Sequence, residues 1–217
     1  MKTLFALLSI LTFLCSCSDD TPSDSAALYD IVKLESQSSS GAVFTLCKPG
    51  SDEEIRLTAA GVNLNTEIVA VGERCLLIYI PADGQAYKSG AINARGYQRI
   101  VNGTLQTVAD SDITGWDRDP VYLLSAWRMG NYLNLHLRLP YDDNPRKFTL
   151  AMSENSTNPT CPDLYLIHAL AADVATFSRA YYASFDISAL IADPAITGFT
   201  LHINNSNLNL DAIKFEI

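Results

Sequence analysis

Leucine occupies every odd position from 133 to 139, and polar side chains occupy positions 134, 136 and 138 between them. Successive side chains of a β-strand point to opposite faces of the sheet, so this pattern predicts a strand with one apolar and one polar face. Residues 212–217 alternate in the same way. A helix would scatter these apolar side chains around its circumference. The chain must therefore fold around sheets whose apolar faces pack together.

Short runs of β-branched and aromatic residues, separated by clusters of Gly, Pro, Asn and Asp, continue through nearly the whole chain. This pattern is typical of all-β domains. Five runs in the first half suit a small closed barrel of the OB type, with residues 57–71 forming a short helix or an irregular crossing. These five predicted strands are residues 29–34, 42–47, 54–58, 75–80 and 97–101.

Seven further runs predict an antiparallel β-sandwich in the second half. They are residues 121–128, 132–139, 147–152, 164–169, 182–187, 198–203 and 212–217. The Ala- and Leu-rich segment 164–182 is also compatible with a helix. We therefore predict an all-β chain with an OB-like barrel in residues 27–108, a polar linker in 109–120 and a β-sandwich in 121–217.

The first residues have the order of a secretory leader. Lys2 precedes an apolar stretch over residues 4–14, which is shorter than the about 20 residues that a membrane-spanning helix needs. The sequence Leu14-Cys15-Ser16-Cys17 resembles the bacterial lipobox, in which the cysteine after the cleavage point receives a diacylglycerol. We predict a signal peptide in residues 1–16, lipidation at Cys17 and a flexible tether in residues 17–26. An ordinary signal peptide is the alternative.

Ser-Asp-Asp directly after Cys17 resembles the acidic tract that directs lipoproteins of the Bacteroidetes group to the cell surface. This resemblance implies a surface-exposed outer-membrane lipoprotein, with the periplasmic face as the alternative. The full chain has a formal charge of −9 at pH 7, and removal of the leader takes away Lys2 but no acidic residue. Such a protein repels phosphate backbones and anionic lipids. We therefore predict no nucleic-acid partner and membrane contact through the anchor.

Three cysteines remain beyond the lipobox, namely Cys47, Cys75 and Cys161. Cys47 ends an apolar run and Cys75 begins one, where cysteine usually serves as a small buried hydrophobe. A Cys47–Cys75 disulfide and two free thiols are both compatible with an oxidising compartment. With so few cysteines, the fold must depend on its apolar core.

Three segments resemble the NigD-like lipoproteins. They are Trp-Arg-Met-Gly-Asn-Tyr-Leu-Asn at 127–134, Asp-Leu-Tyr-Leu-Ile-His at 163–168, and Ser-Phe-Asp-Ile-Ser-Ala-Leu at 184–190. With the lipobox, the resemblance spans nearly the whole chain and is strongest after Asp119. It implies an N-terminal OB-like domain followed by a β-sandwich, and it brings no catalytic residues. The family name comes from an association with bacteriocin genes, so the resemblance also suggests a protective role.

Catalytic patterns are lacking in the sequence. It contains neither a Gly-x-Ser-x-Gly elbow nor a Ser-x-x-Lys pair, so we predict no catalytic residues and no enzymatic activity. His136 and His202 share their strand faces with polar residues and His168 with leucines, so the three are not expected to converge on a metal. Residues 110–115 begin like a calcium loop, but Val121 replaces the glutamate needed at the twelfth position. We predict no metal and no cofactor.

Aromatic side chains near predicted loops or on the barrel are the remaining candidates for ligand contact. They are Phe44, Trp116, Tyr181 and Tyr182. Such side chains either stack on a ligand or pack in a core or domain interface. The sequence thus predicts a binding or structural module for a protein or glycan partner. The alternative is a secreted hydrolase of envelope or dietary polysaccharide.

Overall fold

The computed structural model describes residues 26–142, 147–170 and 177–217, which form thirteen strands and two short helices. The predicted signal peptide, Cys17 and nearly all of the predicted tether lie outside the described residues. None of the helices within the described ranges has the length and hydropathy needed to span a bilayer. The predicted all-β fold, a small barrel followed by a larger β-body, is confirmed.

The N-terminal body is a closed five-stranded barrel with the strand order β1-β2-β3-β5-β4. Its strands are β1 (Leu28–Ser38), β2 (Gly41–Cys47), β3 (Glu54–Ala60), β4 (Arg74–Pro81) and β5 (Gly90–Arg99). β3 and β5 pair in parallel, and the other pairings are antiparallel. Residues 61–73 form an irregular crossing without a helix, from which Leu64 and Val69 fill the barrel interior.

Hydrogen bonding places the next strand in the second body. β6 (Val101–Val108) begins two residues after β5 ends, yet it pairs with strands of the C-terminal sheet. The sequence, by contrast, predicts that the barrel extends to residue 108. β6 contributes only Val101 and Leu105 to the C-terminal core, with Gly103 between them. Its weak apolar pattern therefore did not reveal which sheet it joins.

The C-terminal body is one eight-stranded sheet with the order β13-β12-β10-β9-β6-β11-β8-β7. The elements after β6 are α1 (Asp110–Ile113), β7 (Tyr122–Met129), β8 (Tyr132–Pro140), β9 (Phe148–Ser153), β10 (Asp163–His168), β11 (Ser178–Asp186), α2 (Ser188–Ile191), β12 (Gly198–His202) and β13 (Ala212–Glu216). Three pairings, β6–β9, β6–β11 and β10–β12, are parallel, so the sheet is mixed rather than purely antiparallel. For residues 164–182 the sequence is also compatible with a helix, but the described parts of this segment contain β10 and the beginning of β11.

Contacts between β7 and the segment after β12 curl this sheet towards closure. Val121 accepts a hydrogen bond from the Ser206 amide and donates one to the Asn204 carbonyl, at 2.8 and 2.9 Å. The side chain of Asn207 bonds both the amide and the carbonyl of Leu123, each at 2.9 Å. The four leucines that alternate along β8 are buried in the enclosed core, as the sequence predicts.

The outer faces of the two bodies pack against each other. Ile31 and Leu76 of the barrel, together with Ile100 between β5 and β6, form a small buried cluster against Trp127 and Tyr182 of the sheet. Buried apolar contact of this kind stabilises the relative position of the two bodies.

The cysteines of the described residues are free thiols. The Cys75 side chain is buried in the barrel core, whereas Cys47 lies half-buried at the end of β2, next to Gly130. The Cys47–Cys75 disulfide that the sequence left open is therefore not formed.

Candidate functional site

Residues that follow β6 fold back onto the C-terminal sheet. Ile113 of α1 is buried, and the Trp116 amide donates to the Ile113 carbonyl at 2.9 Å. Asp110 and Asp112, which begin the calcium-loop-like pattern, lie on this helical turn. Among the described residues, no cluster of three or more His, Cys, Asp or Glu side chains is placed to hold a metal ion.

A pocket of about 280 Å³ lies where β6 ends, β9 ends and β10 begins. We call it the acidic pocket. Six polar residues contribute to its lining, namely Asp110, Ser153, Asn155, Ser156, Asp163 and Tyr165. They meet because β6 and β9 run in parallel with Val108 opposite Ser153, so that both strands end on the same side.

Hydrogen bonds hold the polar wall of the acidic pocket in place. The Asp110 carboxylate accepts from the Ser153 hydroxyl and, at 3.2 Å, from the Asn155 amide group. The Ser153 oxygen in turn accepts from the Asn155 backbone amide at 2.9 Å. The Ser156 hydroxyl is buried and has no hydrogen-bond partner within the described residues. A buried polar atom without a partner is a place where a ligand or an ordered water can bind.

Three rings form an aromatic cluster beside this wall. The rings of Tyr165 and His202 stack with centroids 4.8 Å apart, and Trp116 meets both edge-on at 5.5 and 6.0 Å. The parallel pairing of β10 with β12 places Tyr165 opposite His202. His202 Nε2 lies 2.7 Å from Asp163 Oδ1, which orients the imidazole. Burial, with smaller contributions from Asp163 and Asp110, raises the pKa of Tyr165.

The site therefore combines planar hydrogen-bonding groups with half-buried aromatic surface. Carboxylate oxygens accept hydrogen bonds, the Asn155 amide both donates and accepts, and the serine hydroxyls do both. Trp116 and Tyr165 are half-buried, so both residues remain partly exposed to solvent. Such a site suits a ligand that carries many hydroxyl groups on a partly apolar frame.

Solved structures of other proteins share this architecture. A protein of unknown function from Bacteroides vulgatus superposes with a TM-score of 0.66 at 13% identity, covering 88% of this chain and 91% of its own. A NigD-like immunity protein from Bacteroides caccae gives a TM-score of 0.57 at 17% identity, covering 87% of this chain and 92% of its own. This chain has the NigD-like fold.

A third protein with the NigD-like fold, from Bacteroides fragilis, is named as a lipoprotein. It superposes with a TM-score of 0.57 at 14% identity, covering 88% of this chain and 96% of its own. The sequence matches no protein-family model and no curated protein. The resemblance drawn from three short segments is confirmed for the fold.

In the NigD-like fold, the four aromatic residues that the sequence offers as candidate ligand contacts lie in different places. Trp116 joins the aromatic cluster beside the acidic pocket. Phe44 faces the barrel interior and is fully buried, so no ligand at the surface can reach its ring. Tyr181 packs against the C-terminal core. Tyr182 lies at the contact between the two bodies and stacks on His136 at 4.1 Å.

The three histidines lie in separate ring contacts. His136 stacks on Tyr182, His168 on Phe148 and His202 on Tyr165. Each imidazole ring thus stacks on a different aromatic side chain.

Sequence reasoning missed Asp110, Ser153, Asn155, Asp163 and Tyr165 as members of one site. Strand parity was the available pattern for the last two, because Asp163 and Tyr165 alternate with the buried Leu164 and Leu166 and so face outward. Asp110 and Ser153 are 43 residues apart, and only the pairing of β6 with β9 brings them together.

Proposed function

We propose that this protein is a lipid-anchored envelope protein that binds a glycan at the acidic pocket without altering it chemically. The observation that carries the proposal is the Trp116–Tyr165–His202 cluster beside a preformed hydrogen-bonding wall. The predicted lipobox at Cys17 supports the anchor, as does the naming of the Bacteroides fragilis protein with the same fold as a lipoprotein.

Sugar rings offer two kinds of surface, and the pocket has a counterpart for each. Their C–H faces pack on aromatic rings, and their hydroxyl groups donate and accept hydrogen bonds. At about 280 Å³, the pocket is slightly smaller than typical small-molecule sites, which span roughly 300–1,000 Å³. We therefore expect it to hold the end of a glycan rather than a long internal stretch.

Hydrolysis is the rival function, because Asp110 and Asp163 line the same pocket. Glycosidases use two carboxyl groups, one as acid and one as base or nucleophile. Here both groups already have partners, since Asp110 accepts from Ser153 and Asn155 and Asp163 bonds His202. These contacts hold the carboxylates as fixed acceptors, which favours binding over catalysis.

Replacing Trp116 with alanine should weaken glycan binding by about five- to tenfold, because an aromatic contact contributes roughly 1 kcal/mol. Glycans that bind on an array would be titrated calorimetrically against the wild type and the variant. Tyr122→Ala is the control, because Tyr122 is exposed on β7, on another part of the sheet. Equal weakening in both variants, or an array without any binding, would contradict the proposal. Release of free sugar would favour the hydrolase instead.

Mass spectrometry of the native protein should find a diacylglycerol on Cys17 and the first sixteen residues removed. Cys17→Ser should lose the modification and leave the membrane fraction, because a single thioether carries the anchor. Protease treatment of intact cells then tests surface exposure. An unmodified Cys17 in the membrane fraction would overturn the anchor.

The geometry of the described residues does not bear on bacteriocin binding. The protective role that the family resemblance suggests therefore stays a prediction, and the bacteriocin sensitivity of a deletion strain would test it.

A further inference from the structure

We propose that the groove between the barrel and the C-terminal sheet binds a short peptide with free termini. This groove, of about 320 Å³, is lined by two cationic residues, Arg74 and Lys33, and by two acidic ones, Glu54 and Asp52. We call it the junction groove. It lies apart from the acidic pocket, and the proposal does not depend on glycan binding.

Arg74 is the reason to expect a ligand there. Its side chain lines the groove, yet only 6% of the residue is exposed. Nη2 donates to the Ile31 carbonyl at 3.0 Å, the guanidinium lies 3.8 Å from the centre of the Tyr132 ring, and Nε has no hydrogen-bond partner within the described residues. Arg74 takes part in none of the ion pairs among these residues, and the groups that favour its charge are the Tyr132 hydroxyl and, with smaller contributions, Cys47 and Asp186.

A buried charge without a paired counter-charge destabilises a protein unless something else compensates for it. Burial lowers the pKa of Arg74 to about 10, which still leaves the guanidinium charged at neutral pH. A ligand carboxylate is the group that matches its planar donors best, through charge-assisted hydrogen bonds.

The strand register gives the junction groove two oppositely charged ends. Lys33 on β1 lies directly opposite Arg74 on β4, so two cations are neighbours. β2 pairs with the other edge of β1, and β3 lies beyond β2. Glu54 is on β3, directly opposite Cys47 of β2. Because neighbouring strands are about 4.8 Å apart, the strands of Arg74 and Glu54 are separated by up to roughly 14 Å.

The acidic end has an opening for a cation. Asp52 lies 3.8 Å from Arg128, with most of its side chain exposed. Glu54 takes part in none of the ion pairs formed by the described residues. An ammonium group on the ligand would therefore find Glu54 available.

A short peptide matches this spacing of charges. Three extended residues span about 10 Å, and the flexible side chains of Lys33 and Glu54 cover the remaining distance between the two strands, whereas a free amino acid is much shorter. The terminal carboxylate would bind Arg74 and Lys33, and the terminal ammonium would bind Glu54 and Asp52. A simple anion would satisfy only the first pair and would leave the acidic end without a partner.

Calorimetric titration of the mature full-length protein with trialanine tests the proposal. We expect trialanine to bind at least about tenfold more tightly than either its C-terminal amide or its N-acetyl derivative, because each derivative loses one charge-assisted contact. Inorganic phosphate is the anion probe. If phosphate binds as tightly as trialanine, or if the amide binds equally well, the peptide proposal is overturned. Absence of trialanine binding would also overturn it.

Two surface substitutions locate the binding site without disturbing buried Arg74. Glu54→Gln should reduce the preference for trialanine over its N-acetyl derivative, with Asp52 supplying the remainder, while leaving the preference over the amide. Lys33→Met should reduce, without abolishing, the preference for trialanine over its C-terminal amide.

Lys88→Met is the matched control, because Lys88 is an exposed lysine that pairs with Asp83. Trp116→Ala should leave trialanine binding unchanged, which separates this proposal from glycan binding. Equal effects of the Lys33 and Lys88 substitutions would contradict the assignment.

Discussion

Phe185→Ala is expected to lower the free energy of unfolding by about 3–5 kcal/mol, the usual cost of deleting a buried aromatic side chain. Phe185 is fully buried in the middle of the C-terminal body and belongs to its main apolar cluster. Its strand, β11, joins β6 to β8. Deleting the Phe185 ring would therefore leave a cavity beside β6, the strand that connects the barrel to the sheet.

Gly103 makes this prediction sharper, because it lies directly opposite Phe185 in the parallel pair of β6 and β11. A Cβ atom at position 103 would come within 2.7 Å of the Phe185 ring. Gly103→Ala alone should cost about 1–3 kcal/mol through overpacking. In a Phe185→Leu background the same change should cost clearly less, so the double-mutant cycle should show a favourable coupling.

Urea denaturation measures all four proteins of this cycle. Gly90→Ala is the matched control, since Gly90 lies in β5 with an ordinary backbone conformation, and a methyl group added there would have no atom within 4 Å. It should change the free energy of unfolding little. Additive effects of the substitutions at 103 and 185, or a loss below about 1 kcal/mol for Phe185→Ala, would contradict this account of the packing.

Gly130→Ala is expected to cost about 2–4 kcal/mol, from two separate sources. Gly130 has φ +55°, in the left-handed region that side chains disfavour. An added Cβ would also collide with the sulfur of Cys47, at the contact between the barrel and the sheet. The first cost is local to the β7–β8 turn, whereas the second pushes the two bodies apart.

Two comparisons separate these costs in denaturant titrations. Gly61 has φ +69° and open space around it, so Gly61→Ala should show only the backbone cost of about 1–2 kcal/mol. In a Cys47→Ala background, Gly130→Ala should lower the free energy of unfolding only by a similar amount, because the sulfur atom is gone. If removing the sulfur brings no recovery, the collision at the junction is not the source of the excess.

Local side-chain patterns were enough to predict the fold class. The leucines of residues 133–139 alternate with polar side chains, and β8 buries them as that alternation requires. The barrel strands near residues 29–34, 42–47, 54–58 and 75–80 were recognisable for the same reason, because each has an apolar face that is buried in one core. The outward positions of Asp163 and Tyr165 could also have been predicted in this way.

Strand order is a different kind of information. β6 has few apolar side chains, and only its hydrogen bonds to β9 and β11 show that it belongs to the second body. Phe44 was predicted on the second barrel strand, where it is found, but its inward direction removed it from the candidate ligand contacts.

By itself, the sequence determined the all-β character, the order of a small barrel and a larger body, and the positions of most strands. These properties depend on the period of apolar side chains along a few neighbouring residues. The tertiary structure alone decided which side chains share a site. Asp110 meets Ser153, Asp163 meets His202 and Arg74 meets Tyr132 through the pairing of distant strands or the packing of the two bodies. Local periodicity carries no record of these long-range partners.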